Sequence, residues 1–289
     1  MMKKLTTVPA ELFDNLELFP EPFFKRFNLE KAEQAVTFPE QESKIYSFPT
    51  LFNQVQFGMG VFTCDYNNAQ SLLPAGLKPV KAFGGRALVI ISSYEYRKIH
   101  QMTPYNELLV VLPVLNTNTP GKVWDLPMLP SMVPGYNGFG FFTLALPMSS
   151  EENKHRGLQL WGLPKTLHDI EIGQADGKMT TTVFDDNGES IITLKIPMAG
   201  KTKATTMANK LFSEKDGKLV MSQNHLYADM NENKHLSRLF SVSDKTDTVK
   251  LGQHKIADQL RFLKLSHDPI ITRYTNDLKS CLFLPNQDK

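Results

Sequence analysis

Three tight-turn signals between residues 168 and 221 constrain the fold more than any other feature of the chain. Asp176-Gly177 separates His168–Gln174 from Lys178–Phe184, and Asp186-Asn187-Gly188 separates that second run from Ser190–Ile196. Asp216-Gly217 lies between Leu211-Phe212 and Leu219-Val220-Met221. Asp-Gly and Asn-Gly supply the positive φ values that the shortest hairpin loops require. Strands that follow one another so closely leave no room for crossover helices. They predict a mainly β (β-rich α+β) chain whose core is an antiparallel meander, closed as a barrel or stacked as a sandwich, with a few short helices.

The earlier segments agree. Arg86–Tyr94 is apolar on both faces for most of its length, which predicts a central strand or barrel wall. Tyr105–Val114 and Phe139–Leu146 are two more such strands, and Phe52–Phe62 is partly alternating and contains glycine. Helix signals are few. Asp65 is placed to cap a short helix through Gln70 to Leu73, which Pro74-Ala75-Gly76-Leu77 stops. Ile256–Leu263 has apolar residues at helical spacing, and Leu282-Phe283-Leu284 is expected as a closing strand. Residues 1–44 carry Leu12-Phe13, Phe19-Pro20 and Pro22-Phe23-Phe24, and are predicted to form an arm on the main domain, 45–289, or on a neighbouring subunit. A short helix over Asn28–Ala35, capped by Asn28, is expected within it. The Pro/Asn-rich loop from Pro113 to Tyr136 holds Trp124, Met128 and Met132; a loop of that length suits either a cover over a pocket mouth or a subunit interface.

With 289 residues, the chain can bury a sizeable core. A net charge of +2 without a basic run or interleaved arginines and aromatics predicts no nucleic-acid partner. Cys64 and Cys281 fit neither a disulfide framework nor a clustered metal site, and are expected as buried small hydrophobes in a reducing compartment. Met1–Thr7 is charged but has no apolar core behind it, and no apolar run approaches the roughly 20 residues of a membrane helix. A cytoplasmic protein with no membrane partner is expected. Seven scattered histidines show no metal-ligand spacing, and no G-x-G-x-x-G follows a strand, so neither metal nor cofactor is predicted.

One stretch carries chemistry. Gly157-Leu158-Gln159-Leu160-Trp161-Gly162-Leu163-Pro164-Lys165-Thr166-Leu167 is apolar nearly throughout, with a single ammonium at Lys165. It reads as a buried strand with the lysine at its end. Pro164 restricts Leu163 to extended geometry, so the approach to Lys165 is rigid and non-helical. Desolvation among Leu160, Trp161, Leu163 and Leu167 lowers a lysine pKa, and a neutral amine attacks carbonyl carbon. The plainer reading is a lysine that packs its stem and reaches water with its head.

The run Arg156–Leu167 (R-G-L-Q-L-W-G-L-P-K-T-L) resembles the active-site segment of the acetoacetate decarboxylase family, where a Pro-Lys pair carries a Schiff-base lysine. Acetoacetate decarboxylase is itself the standard example of a lysine activated by its surroundings. The helix followed by Pro74-Ala75-Gly76-Leu77, and Tyr105-Asn106-Glu107 as the family's Y-x-E, extend the resemblance from about Ser47 to Pro285. It implies an iminium on Lys165, with Glu107 positioning the substrate or moving a proton. It also implies a keto-acid or other small carbonyl substrate, no dissociable cofactor, and a homo-oligomer. Decarboxylation is the implied reaction; aldolase or dehydratase chemistry and a non-catalytic ligand-binding barrel are the alternatives.

Three positions depart from the family. Its second lysine is Thr166 here, so desolvation must do more. A second carboxylate falls at Ser92 by ungapped register, and an arginine near the first strand has no counterpart around Gln54-Val55-Gln56. Trp161, Leu163, Thr166, Ser92, Tyr105 and Tyr94 are expected around the pocket. A positive charge near Lys165 is sought from His155, Arg156 or His168, each of which is otherwise expected at the surface. His225 and Tyr227 share a strand face by period two and suit either proton transfer or structural hydrogen bonding.

Overall fold

The computed structural model describes residues 14–39, 41–121, 127, 133, 135–239 and 247–285. In chain order the principal strands are β1 (Thr50–Asp65), β2 (Arg86–Tyr96), β3 (Tyr105–Asn116), β4 (Phe139–Met148), β5 (Lys165–Leu167) and β6 (Asp169–Ala175). They continue with β7 (Lys178–Phe184), β8 (Ser190–Pro197), β9 (Lys201–Lys215), β10 (Lys218–Lys234), β11 (Val249–Leu251) and β12 (Ile271–Leu282). The helices are α1 (Tyr66–Ser71), α2 (Glu151–Arg156) and α3 (Lys255–Phe262).

Strands β4, β9, β10, β12, β1, β2 and β3 are hydrogen-bonded in that order, and β3 pairs with β4 to close the ring into a barrel. Every pairing around the ring is antiparallel except β4 with β9, a short parallel contact through Phe141–Leu211 and Phe142–Phe212. A second sheet, ordered β6-β7-β8-β11, covers the outside of the barrel. The expected turns make the meander: Asp176 and Gly177 have φ of 51° and 70°, and Asp216 and Gly217 have 52° and 71°. Only residues tolerant of positive φ can close so short a loop.

The continuous apolar runs follow from burial on both faces. Phe57, Met59 and Val61 of β1 point into the barrel with Leu88 of β2. Phe62, Val89, Ile91, Leu108, Val110 and Leu112 point outward against Met179, Val183, Ile192, Leu194 and Ile196 of the second sheet. Where the sheets cross, Gly58 leaves the room that a Cβ would take only 2.9 Å from Met179 Sδ. Ser93 and Thr181 join hydroxyls across the same seam at 2.6 Å. Asp65 caps α1 by accepting from the Asn68 N–H, as its position in the sequence implies.

Two expected elements differ. Asn28–Ala35 is not helical: Glu30–Lys31 pairs with Ser47–Phe48, and Val36–Phe38 begins a small hairpin with Gln41–Lys44. Val36 and Phe38 are buried and Thr37 is exposed, the period of two of a strand. The last strand is β12, which ends at Leu282 rather than beginning there. Its Thr, Arg, Asn, Asp and Lys residues conceal it from an apolar pattern. Trp124, Met128 and Met132 of the long loop lie outside the described residues. Phe19, Phe23 and Phe24 pack on Leu51, Cys281 and Phe283 at one end of the barrel. Cys64 and Cys281 are free and buried, and burial pushes both thiols up to about 12. No helix among the described residues is long and apolar enough to cross a membrane.

Candidate active site

The segment that delivers Lys165 begins at Ser150, whose hydroxyl accepts the Asn153 N–H at 3.1 Å and starts α2. Acidic Glu151 and Glu152 open this short helix, and Lys154, His155 and Arg156 close it, matching its dipole. It continues as a π-helical turn over Gly157–Trp161 and stops at Gly162, which has φ of 65°. A Cβ there would meet Glu214 O at 2.3 Å. Pro164 prevents any further helix, and Lys165 then opens β5, paired in parallel with Leu146 of β4. The apolar run before the lysine is therefore helical, and Lys165 starts a strand instead of ending one. An unbroken apolar run carries no period from which the two could be told apart.

The lysine stem lies on Gly157. A Cβ at that residue would fall 2.1 Å from Lys165 Cδ and 2.3 Å from Cε. Lys165 Nζ donates to Asn153 O at 3.3 Å and stands 3.9 Å from Glu107 Oε2. Glu107 enters from the start of β3, and its Oε1 accepts from the Tyr96 hydroxyl at 3.3 Å. Tyr94 and Tyr96 stack with centroids 5.3 Å apart, and Tyr105 packs on Tyr96 at 4.8 Å. These groups line a cavity of about 70 Å³ inside the barrel, together with Thr50, Asn153, Arg156, Trp161 and Leu163.

Burial sets the electrostatics. It lowers the Lys165 pKa to about 8; Glu107 opposes the shift and Arg156 adds to it. Burial likewise raises Glu107, which Lys165 and the Tyr96 hydroxyl partly offset. Burial, reinforced by the Glu107 charge, holds the Tyr94, Tyr96 and Tyr105 hydroxyls above the ordinary phenol range.

Of the expected pocket residues, Tyr94, Tyr105, Glu107, Trp161, Leu163 and Lys165 line this one cavity. Ser92 and Thr166 do not. Ser92 is buried two residues before Tyr94, on the same face of β2. Strand alternation turns Thr166 away from the cavity, its Oγ1 buried without a partner. Trp161 is anchored through Nε1 to Phe283 O at 2.8 Å, and its own carbonyl accepts from Ser213 Oγ at 2.5 Å.

The positive charge comes from Arg156. It is 2% exposed, contrary to its expected surface position. Its guanidinium lies over the rings of Tyr46, Phe48 and Trp161 at 4.3, 5.4 and 5.8 Å. Nη2 donates to Thr50 Oγ1 at 2.8 Å, and Nη1 lies against Met102 Sδ. Burial lowers its pKa from the usual value. Tyr46 and Phe48 come from far earlier in the chain, so the shelf that buries Arg156 is a tertiary feature. His155 instead pairs with Glu151 at 3.0 Å. His168 faces Phe184 O at 3.2 Å and the His254 ring at 5.3 Å, outside the cavity lining. His225 packs on Phe27 and Phe283, and Tyr227 stacks on Phe23, so this pair belongs to the aromatic cluster at the barrel end.

Sequence reasoning passed over Tyr96, Asn153 and Thr50. Period two from Tyr94 points to Tyr96, and helical spacing from Arg156 points to Asn153. Among the described residues no group of three or more His, Cys, Asp or Glu side chains could hold a metal ion.

The family model described as acetoacetate decarboxylase (ADC) matches residues 35–234. No curated protein matches the sequence significantly. The crystal structure of acetoacetate decarboxylase from Legionella pneumophila subsp. pneumophila strain Philadelphia 1 superposes with a TM-score of 0.52 at 13% identity, over 82% of this chain and 86% of that one. The enduracididine biosynthesis enzyme MppR, complexed with the condensation product of pyruvate and imidazole 4-carboxaldehyde, gives 0.54 at 13% identity over 87% and 90%. At such identity the structural likeness is one of fold, and the family model, matching well over half of the chain, carries the assignment. The chain belongs to the acetoacetate decarboxylase family.

Proposed function

We propose that this chain is a Schiff-base lysine enzyme that cleaves a carbon–carbon bond in a small keto acid, by decarboxylation. The observation that carries the reading is the Lys165 amine, 5% exposed in its side chain, at the wall of an internal cavity and 3.9 Å from Glu107. A pKa near 8 leaves a usable fraction of neutral amine at ordinary pH. That amine attacks the ketone carbon, and loss of water from the carbinolamine gives an iminium. For a 3-oxo acid, the bond to the carboxylate breaks, its electron pair moves through the new enamine to nitrogen, and CO2 leaves. Glu107, raised by burial, returns a proton to carbon. Water then hydrolyses the iminium and frees the amine. Arg156 supplies in this pocket the neighbouring cation that Thr166 cannot.

A specific observation favours a second reaction on the same intermediate. Arg156, Glu107 and Asn153 make the cavity more polar than carboxylate loss requires, and a polar pocket suits aldol or dehydration steps in which the carboxylate stays. Borohydride added with a panel of 2- and 3-oxo acids tests both readings. An adduct on Lys165, absent in Lys165→Ala, with CO2 release from a 3-oxo acid supports decarboxylation. An adduct without CO2 release supports the aldol-type reaction. No adduct overturns the lysine chemistry and leaves a ligand-binding barrel.

A further inference from the structure

We propose that Asn153 and Arg156 form a carboxylate site beside Lys165, so that the compound Lys165 takes is a carboxylate-bearing carbonyl and not a neutral ketone or aldehyde. The naming of the carbonyl rests on the Schiff-base reading above; the anion site does not. The two residues stand three apart on α2 and therefore share a face. They are 3% and 2% exposed, and both line the cavity that holds Lys165.

Each side chain has a buried donor with nothing to donate to. Asn153 Nδ2 has no hydrogen-bond partner; the Tyr105 hydroxyl faces this amide without closing a bond of normal geometry. Arg156 Nε is unpartnered as well. Each Nη atom makes one contact, Nη2 to Thr50 Oγ1 and Nη1 to Met102 Sδ, a neutral hydroxyl and a thioether. Among the described residues no carboxylate oxygen forms an ion pair with the guanidinium. Glu152, its neighbour on α2, is held by Lys44 at 3.2 Å and by the Tyr46 hydroxyl. Glu107 is engaged by Tyr96 and Lys165. A buried cation without a counter-charge is costly, and so is a buried amide donor left empty.

The charge balance selects the ligand. Lys165 and Glu107 sum to zero whether their shared proton sits on nitrogen or on oxygen; Glu152 favours the Arg156 charge through space but is itself ion-paired with Lys44, so the cluster keeps one net positive charge. A monoanion cancels it. A carboxylate has two acceptor oxygens, enough for one donor from each residue. The family's arginine near the first strand is missing here, and α2 offers one from a different part of the chain.

The test uses the full chain and oxamate, a carboxylate that resembles a 2-oxo acid but does not form an iminium. Thermal unfolding with increasing oxamate should show saturable stabilisation of both the wild type and Lys165→Ala. Asn153→Ala and Arg156→Gln should each weaken oxamate by about tenfold or more, the loss expected for one charge-assisted contact. Arg156→Lys, which keeps the charge but not the planar fork, serves if Arg156→Gln does not fold. Absence of stabilisation in the wild type, or unchanged oxamate affinity in Asn153→Ala and the folded Arg156 variant, overturns the site.

A second arm compares borohydride trapping of pyruvate with pyruvamide, its neutral isostere. The wild type should trap pyruvate at lower concentration, and both variants should lose that preference. Equal trapping of the two by the wild type overturns the carboxylate site and leaves the lysine chemistry standing. Oxamate binding that depends on Asn153 and Arg156, with no adduct from any keto acid, does the reverse.

Discussion

Gly157 and Lys165 are packed so closely that the glycine hydrogen is the largest group the lysine stem can tolerate: a Cβ would stand 2.1 Å from Cδ, 2.3 Å from Cε and 2.9 Å from Nζ. Gly157→Ala must therefore displace the amine from the cavity wall or push apart the π-helical turn that carries it. Adduct formation on Lys165 should fall by about tenfold or more, and stability by about 1–3 kcal/mol, the usual range for overpacking. Trapping rates and urea midpoints measure the two effects. A variant that traps as fast as wild type contradicts the contact.

The pH dependence of trapping should follow the neutral amine, rising with pH and levelling above about 8. Arg156→Gln removes a cation that depresses Lys165, so the inflection should move up. Glu107→Gln removes an anion that raises Lys165, so the inflection should move down. Opposite shifts from these two variants, read from initial trapping rates, separate electrostatic effects from mere loss of packing.

Stability should carry the same signature. Lys165 has a folded pKa of about 8 against an ordinary value of 10.5, so between these values the unfolded chain binds more protons. Stability contributed by this group therefore rises with pH through that window. Glu107 is raised, so its contribution is lost as pH rises through its folded value. Replacing the pair by Lys165→Met/Glu107→Gln should stabilise the protein at pH 7 by about 1–3 kcal/mol, consistent with the cost of buried charge. Chemical denaturation at pH 7 and pH 10 should show the part of the gain due to Lys165 fading at the higher pH.

Tyr46 connects the early part of the chain to the site. Its ring lies 4.3 Å from the Arg156 guanidinium, and its hydroxyl donates to the buried Glu152 carboxylate. Tyr46→Phe keeps the ring and removes the donor, which should cost about 1–3 kcal/mol for the weakened carboxylate. Oxamate affinity, which depends on the ring shelf under Arg156, should stay near wild type. A loss of affinity without a loss of stability contradicts this division of roles.

The parts of the fold legible in sequence were those fixed locally. Asp176-Gly177 and Asp216-Gly217 close hairpins because positive φ is a property of those residues; β2 to β4 announce themselves by apolar residues on both faces, and β1 by partial alternation. Lys165, Glu107, Tyr94, Tyr105, Trp161 and Leu163 do meet in one cavity. Features decided by distant partners were not legible. Asn28–Ala35 has helix-forming residues, but Glu30–Lys31 within it is held as strand by Ser47–Phe48, and Ala32 N–H donates to Tyr46 O. Arg156 looks like a surface arginine until Tyr46, Phe48 and Thr50 fold over it. The π-helical turn at Gly157–Trp161 likewise depends on contacts that Gly157 and Gly162 make elsewhere, not on their neighbours in sequence.

Nitrogen NMR of the lysine side chains, with Lys165 assigned from Lys165→Ala, reads the protonation of that amine without substrate or reagent. Starvation of water inside the barrel predicts that the Lys165 Nζ resonance titrates near 8. Titration at the ordinary value of 10.5 would place the amine in contact with bulk water and contradict the catalytic account.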